Sequence, residues 1–359
     1  MPRDNQHPVS HQLRALAEAK QIPISVTIEL TYQCNLTCSH CYNFDRSDSS
    51  KLPILPNPEE ELTRTEILQL IDDLAKAQTL YLTFTGGEPT LHPNIVEFIE
   101  RGRSHHMSTR LKSNGIIKES LLEPLRDAGL HGVDISLYGT TPSSHDSITN
   151  HPGSFNATTK TIKRLRNLGV PVHVNFVVSR HSFHEVADME QLATSLDVTQ
   201  TVTLDITTRY DGTDSSQDLR ISPEQTRKLY EGPLRSLLPP PDFSPERSVR
   251  CGCALASCAV SRLGEVYPCI GAPLPSGNIR KQSFENIWAH SPELNSIRAH
   301  TLDDFSSCKP CALRPHCNRS SGNIYVTTGN YTGPEEWACA EAQARKDAWG
   351  NLERGESTP

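Results

Sequence analysis

Three cysteines, Cys34, Cys38 and Cys41, stand in the string ELTYQCNLTCSHCYNF, separated by three and then two residues. Thiolates at this spacing converge within one loop. Cubane iron–sulfur clusters are held by four thiolates, so three leave one iron without a protein ligand, open to a small chelating molecule. The same loop offers a second chemistry, since three cysteines with His40 make a tetrahedral zinc set. Thr85-Gly86-Gly87-Glu88-Pro89 follows one strand later. Two glycines let a ligand approach the backbone closely; the plainer reading is a tight turn between strand and helix.

The other eight cysteines, Cys251, Cys253, Cys258, Cys269, Cys308, Cys311, Cys317 and Cys339, lie about two hundred residues further on, with none between the groups. No apolar run approaches the ~20 residues of a membrane span, and the N-terminus lacks the apolar segment of a signal peptide. The expectation is a cytoplasmic protein, where clustered thiols mean metal or catalysis rather than disulfides. Eleven cysteines are an odd number, so disulfides alone cannot use them all. Cys308-x2-Cys311 taken alone is also a zinc spacing.

The elements that must position these groups read as alternating strand and helix. Short β-branched or alternating runs fall at 25–30, 80–85, 108–113, 133–138, 171–178 and 201–208, each bounded by turn formers. Thr63-Arg64-Thr65-Glu66 fits a capping box ahead of Ile67, Leu70, Ile71 and Leu74. Ser154 is a candidate cap for a helix stopped by Gly169. Six strand–helix repeats imply parallel strands with right-handed crossovers. Eight would close a barrel; six predict an α/β fold with an open, partial (βα)6 barrel of TIM type and its chemistry at the C-terminal strand ends. The domains expected are a lead-in at 1–24, the barrel at 25–220, a helix and Pro-rich linker at 221–249, a small cysteine-rich domain at 250–345 and a polar tail at 346–359. The Pro/Ser/Asp-rich stretch 42–62 reads as a long loop after the first cysteines.

With both motifs placed, the chain resembles the radical S-adenosylmethionine (SAM) superfamily over roughly residues 25–210. The resemblance implies a 4Fe–4S cluster on Cys34, Cys38 and Cys41, whose open iron is chelated by SAM. One electron from the cluster then cleaves SAM to methionine and a 5′-deoxyadenosyl radical. It further implies that Gly86, Gly87 and Glu88 meet the amino group of SAM. Ser113 and Asn114 occupy the family's Thr-Asn-Gly site, Ser136 is placed for the ribose or carboxylate, and Asn175 matches a frequent SAM contact. One departure stands out: the family's His-Asp-x-Ile-Arg-Gly reads His145-Asp146-Ser147-Ile148-Thr149-Asn150. The arginine that often reaches the SAM carboxylate is Thr149, which leaves Arg180 or, better placed at a strand end, Arg209.

Residues 250–342 resemble the SPASM extension of that superfamily, a small domain with two auxiliary 4Fe–4S clusters. Three clusters are therefore expected. Cys308, Cys311, Cys317 and Cys339 are assigned to the second auxiliary cluster. The family's seventh cysteine is Ser321 here. Either the first auxiliary cluster keeps an open iron, or a spare cysteine substitutes; the assignment favoured is Cys251, Cys253, Cys258 and Cys269. Cys253 and Cys258 also qualify as a hydrogen-atom donor or a buried structural thiol.

Net charge of −7 argues against a nucleic-acid binder, which would show a basic face. By resemblance, the expected activity is hydrogen abstraction from a ribosomally made peptide during cross-linking, epimerisation or excision. The alternatives are a small metabolite or tetrapyrrole, or a non-catalytic iron–sulfur or zinc protein. Ile270 stands where sulfatase-maturing relatives carry an acidic base, which disfavours that branch. Only 24 residues precede the first strand, so a separate protein is expected to grip the leader peptide unless the two domains grip it themselves. A flavodoxin or ferredoxin is the expected electron donor. His145, Asp146, Tyr138 and Tyr210 lie near the expected active face, but no acid or base is singled out.

Overall fold

A computed structural model describes residues 8–46, 60–238, 240–243 and 251–354. Most of the long loop expected at 42–62, and residues 239 and 244–249 of the helix and linker expected at 221–249, lie outside the described residues.

Six parallel strands form the frame: β1 (Ser25–Thr31), β2 (Tyr81–Gly86), β3 (Ser108–Ser113), β4 (Gly132–Leu137), β5 (Val172–Val177) and β6 (Thr199–Thr203). Each pairs with the next, as a partial barrel of βα units requires. The helices are α1 (Pro8–Lys20), α2 (Arg64–Lys76), α3 (Ile95–Ser104), α4 (Glu119–Asp127), α5 (Pro142–Thr149), α6 (Ser154–Asn167) and α7 (Val186–Ser195). The box expected at Thr63 caps α2, with the Glu66 and Thr63 side chains each bonding the other's backbone. At α6 the cap differs. Ser154 is the first helical residue, and the Asp146 carboxylate accepts from Gly153 N, Ser154 Oγ and Phe155 N at 2.6–2.8 Å.

Alternation along the strands separates two faces. Val26, Ile28 and Leu30 of β1, Leu82 and Phe84 of β2, and Val133 and Ile135 of β4 join Ile67, Leu70, Phe98 and Leu165 of the helices in one apolar core. Truncating Phe84 or Phe98 there would cost about 3–5 kcal/mol. The other face lines the barrel and is polar: Thr27, Glu29, Thr83, Thr85, Arg110, Lys112, Asp134, Ser136, His173 and Asn175. Arg110 pairs with Asp134, and the His173 ring bonds Thr199 and Thr201 at 2.8 and 3.0 Å. An apolar exterior with a polar interior suits a barrel that holds a charged ligand at its mouth.

The cysteine-rich domain is not a separate body. Its hairpin, β7 (Ser257–Val260) and β8 (Val266–Tyr267), extends the barrel sheet, with β7 parallel to β1. The remaining helices are α8 (Pro223–Glu231), α9 (Phe284–His290), α10 (Pro292–Ala299), α11 (Ser321–Thr328) and α12 (Glu336–Arg354). Residues 346–354 of the expected polar tail are instead the second half of α12. That helix packs on α8, and Ala344 and Ala348 enter the core.

Candidate active site and thiol clusters

The loop after β1 is tied down at each turn. Cys41 N donates to Cys38 O (3.1 Å) and Ser39 N to Ile148 O (2.9 Å). Asn150 Nδ2 reaches Thr37 O (2.8 Å), and Asn35 Nδ2 reaches Ile116 O (2.9 Å). Cys34, Cys38 and Cys41 thereby line one chamber of about 350 Å³ at the C-terminal strand ends. Burial pushes the Cys34 and Cys38 thiols up, and each faces the other cysteines. Arg46 opposes this: its Nε lies 3.4 Å from Cys41 Sγ while Nη1 bonds Tyr32 O (2.8 Å).

Gly86 and Gly87 also line the chamber, and the backbone explains why both are glycine. Gly87 N donates to Thr31 O (2.7 Å) and Glu88 N to Gln33 O (2.8 Å), so the turn is stitched to the segment that launches the cysteine loop. A Cβ on Gly87 would stand 2.2 Å from Gln33 O, and one on Gly86 2.3 Å from Thr31 O. Glu88 is fully buried and does not face the chamber. Its carboxylate accepts from Ser113 Oγ (3.0 Å), Asn114 N (2.9 Å), Thr90 N (3.1 Å) and Thr90 Oγ1 (2.6 Å). Asn114 in turn bonds Asn35 (2.7 Å) and lies 3.6 Å from Cys34 Sγ. Glu88 thus locks the β3 turn to the cysteine loop.

The remaining expected contacts divide. Ser113, Asn114 and Ser136 line the chamber. Asn175 sits beside Ser136 in register, one strand further round. Arg209 does not line it. Its buried guanidinium bonds Ser39 O (2.5 Å) and Ser215 Oγ (2.5 Å) and pairs with Asp45 at 3.7 Å, clamping the segment after β6 to the cysteine loop. Arg180 is exposed, and Thr149 is buried against Ser154. His40, half-buried on the chamber wall, has its imidazole pushed down to about 4 by burial and the nearby Arg209 charge.

Besides Arg46, two charged wall residues had escaped the motif reading. Lys112 faces the chamber from β3, and Asp205 faces it two residues past β6. No ion pair of either is found among the described residues. Asp205 is exposed toward the chamber. The mass of protein around its carboxyl, with Glu341 and Glu335 adding to it and Arg220 and Arg345 opposing, pushes the carboxyl up to about 6. The period of two along β3, which turns Leu111 to the core and Lys112 inward, was the available signal. Tyr210 and Tyr138 also line the wall; the Tyr210 hydroxyl donates to Ile270 O, and its ring meets Tyr42 at 5.2 Å between centroids. Tyr42 lines the chamber and donates to buried Glu29 (3.2 Å), whose carboxyl is pushed up to about 7 chiefly by burial.

Ile270, Gly271 and Asn323 of the cysteine-rich domain complete the wall. Behind Ile270, Cys251 and Cys269 both approach Cys253, with sulfur separations of 3.0 and 2.9 Å. Hydrogen bonds from Cys253, the Tyr331 hydroxyl (3.3 Å) and the Cys253 and Ser321 backbone hold the Cys251 thiol down to about 5. No sulfur contact joins Cys258 to these three among the described residues. It stands on β7 opposite Val26, within the apolar core, where burial pushes its thiol up and the nearby Cys269 adds to it. Cys308, Cys311, Cys317 and Cys339 form a second group. Cys311 N bonds Cys308 O (3.1 Å) and Cys339 enters from the start of α12. Burial pushes the Cys308, Cys317 and Cys339 thiols up, and each also lies near another cysteine of the group.

A family description of the radical SAM superfamily matches residues 28–193, and one of the SPASM iron–sulfur cluster-binding domain matches 251–318. The chain belongs to the radical SAM superfamily and carries a SPASM domain. It is similar to the AdoMet-dependent heme synthase of Methanosarcina barkeri, at 27% identity over 88% of this chain and 96% of that protein. It is likewise similar to the mycofactocin maturase MftC of Mycolicibacterium smegmatis, at 27% over 86% and 81%. The PqqA peptide cyclase of Bradyrhizobium diazoefficiens is 28% identical over 84% and 82%. Among solved structures, anSMEcpe with bound AdoMet and a Cp18Cys peptide superposes with a TM-score of 0.67 (16% identity; 92% of this chain, 98% of that one). Streptococcus suis SuiB bound to its precursor peptide SuiA gives 0.65 (15%; 92% and 80%). These two establish the shared fold.

The radical SAM chain is therefore an enzyme that uses SAM and iron–sulfur clusters. Its own donor set fits them: three thiols on one chamber wall, beside glycines that expose backbone, and two further thiol groups in the SPASM domain. Among the described residues, no helix is long and apolar enough to cross a membrane.

Proposed function

We propose that this enzyme abstracts hydrogen from a ribosomally made peptide during its post-translational modification. The observation that carries the reading is the extent of the chamber. Along Asp205, Ile206 and Thr207 it continues into a second, smaller space walled by Arg319, Glu335 and Trp337. The result is a trough of mixed apolar and polar lining between barrel and SPASM domain, suited to a stretch of peptide with both side chains and backbone groups to seat. Relatives named as a peptide cyclase and a mycofactocin maturase support it.

In this reading Cys34, Cys38 and Cys41 hold the first 4Fe–4S cluster, and Cys308, Cys311, Cys317 and Cys339 hold an auxiliary one. Bound together, cluster and SAM supply the hydrogen-abstracting 5′-deoxyadenosyl radical. Gly86 and Gly87 offer backbone to the SAM amino group, while Glu88 keeps Asn114 and the cysteine loop in place. Ser136 and Asn175 are contacts for SAM on the β4 and β5 side. Arg209 holds the loop rather than the ligand. Lys112 supplies the cation for a carboxylate on SAM or substrate, and Asp205 accepts a hydrogen bond from a peptide N–H at the junction of the two spaces. A leader-binding protein and a flavodoxin or ferredoxin are the partners this cycle calls for, in the cytoplasm.

A carboxylated small molecule such as a tetrapyrrole is the second reading. The heme synthase matched along 96% of its length, together with a chamber cation in Lys112, favours it. Anaerobic incubation of the enzyme, SAM and dithionite with separate peptide and small-molecule fractions of the source cell decides between them. A mass or deuterium change confined to one peptide is the expected result. A change confined to the small-molecule fraction overturns the peptide reading.

A further inference from the structure

Ser321 is the N-terminal residue of α11 and has no exposed surface. Its hydroxyl has no hydrogen-bond partner among the described residues. Buried hydroxyls are nearly always bonded, so an orphan calls for an explanation, and an ion that completes its bonding is one. The surroundings point to which ion. The Ser321 backbone lies beside Cys251, whose sulfur lies 3.0 Å from that of Cys253, itself 2.9 Å from that of Cys269. On its other side the next residue, Gly322, packs on the turn that begins at Cys269. A Cβ there would stand 2.6 Å from Gly271 O. Ser321 is therefore bracketed by the ends of a three-thiol group that lacks a fourth thiol. Cys258, the remaining cysteine of this region, shares a strand face with Val260, and both stand opposite the core residues Val26 and Ile28 of β1.

We propose that Ser321 is the fourth ligand of the first auxiliary cluster, through its Oγ, with Cys251, Cys253 and Cys269 as the other three. This rests on the reading that these three thiols hold a 4Fe–4S cluster. On ligation, Ser321 displaces hydroxide from the fourth iron. The Fe–Oγ bond forms, the Fe–OH bond breaks, and the hydroxyl proton leaves with the hydroxide as water; no electron is transferred. Such a cluster has no open iron, so it serves to pass electrons rather than to bind substrate. Oxygen ligation also gives the cluster a reduction potential distinct from that of an all-thiolate one.

The test uses the full chain, reconstituted anaerobically, with SAM filling the open iron of the first cluster. Carbon-13 cyanide is added, and its hyperfine coupling to the reduced clusters is read by pulsed electron paramagnetic resonance. The wild type is expected to show no coupling. Ser321→Ala, which keeps the fold and removes Oγ, is expected either to show it or to lose one iron from this cluster. Ser321→Cys is expected to keep every iron and shift the potential, and Cys258→Ala to leave iron and spectrum unchanged. Coupling in the wild type would mean an open iron and would overturn the proposal. So would loss of iron in Cys258→Ala with none in Ser321→Ala. The underlying reading fails separately: Cys253→Ala would then leave iron content unchanged instead of lowering it by about four per chain.

Discussion

Replacing Gly87 by alanine tests the claim that the glycine turn positions the cysteine loop. The new Cβ would stand 2.2 Å from Gln33 O and 2.7 Å from Tyr32 O, both backbone atoms. Ordinary contact begins at 3.4 Å, so the 32–33 backbone must retreat by about 1.2 Å. The next residue is Cys34. Overpacking of this kind costs about 1–3 kcal/mol, a fall in melting temperature of roughly 3–10 °C for a domain near 200 residues. Metal ligands tolerate only a few tenths of an ångström, so the larger effect is loss of the first cluster. Gly169→Ala is the control. Gly169 has φ +77 with nothing within 4 Å of its Cβ position, so alanine there pays about 1–2 kcal/mol of backbone strain alone. The expected result is comparable melting of the two variants by circular dichroism, with about four irons per chain missing only from Gly87→Ala. Full iron in Gly87→Ala would refute the reasoning.

Other outcomes follow from the same contacts. Asp205→Asn should remove an activity limb that, in the wild type, rises as pH passes about 6. The fold favours the protonated carboxyl, so its contribution to stability falls between about pH 4 and 6, and the variant should lose that slope too; activity profiles and melts in parallel check both. Arg209→Lys keeps the charge but not the fork that reaches Ser39 O and Ser215 Oγ. About 1.5–3 kcal/mol per lost charged hydrogen bond should appear as faster iron loss to a chelator from the first cluster, with the auxiliary iron unaffected. Glu88→Gln places an amide N–H₂ against four donors; a similar loss of stability and weaker SAM binding by calorimetry are expected. Lys112→Gln should raise KM for substrate or SAM several-fold and spare iron content.

The cysteine spacing, the glycine turn and the six βα repeats were legible because each is local: a ligand loop, a close approach and a period of two or 3.6 residues. Contacts that depend on long-range closure were not. Arg209 looked like a ligand from its strand-end position, yet it closes on Ser39, 170 residues away in sequence. Glu88 looked like a chamber residue, and its bonds turn it inward to β3. Cys258 counts with its neighbours along the chain, but the pairing of β7 with β1 turns it into the core. Residues 346–354 of the expected tail continue α12, which docks on α8 through Ala344 and Ala348 and through Glu341 and Arg345 at the Tyr230 hydroxyl. Lys112 and Asp205 belong to no motif; only the barrel brings them to one wall.

The account rests on Cys34, Cys38 and Cys41 serving SAM cleavage in the chamber they line. The most direct measurement is 5′-deoxyadenosine formed from SAM and dithionite under strict anaerobiosis by fully reconstituted enzyme. The same assay is run on a Cys34→Ala/Cys38→Ala/Cys41→Ala variant. The account predicts deoxyadenosine and methionine in equal amounts from the wild type and none from the variant, whose auxiliary iron remains. No deoxyadenosine from wild type carrying all its clusters, or undiminished formation by the variant, would contradict it.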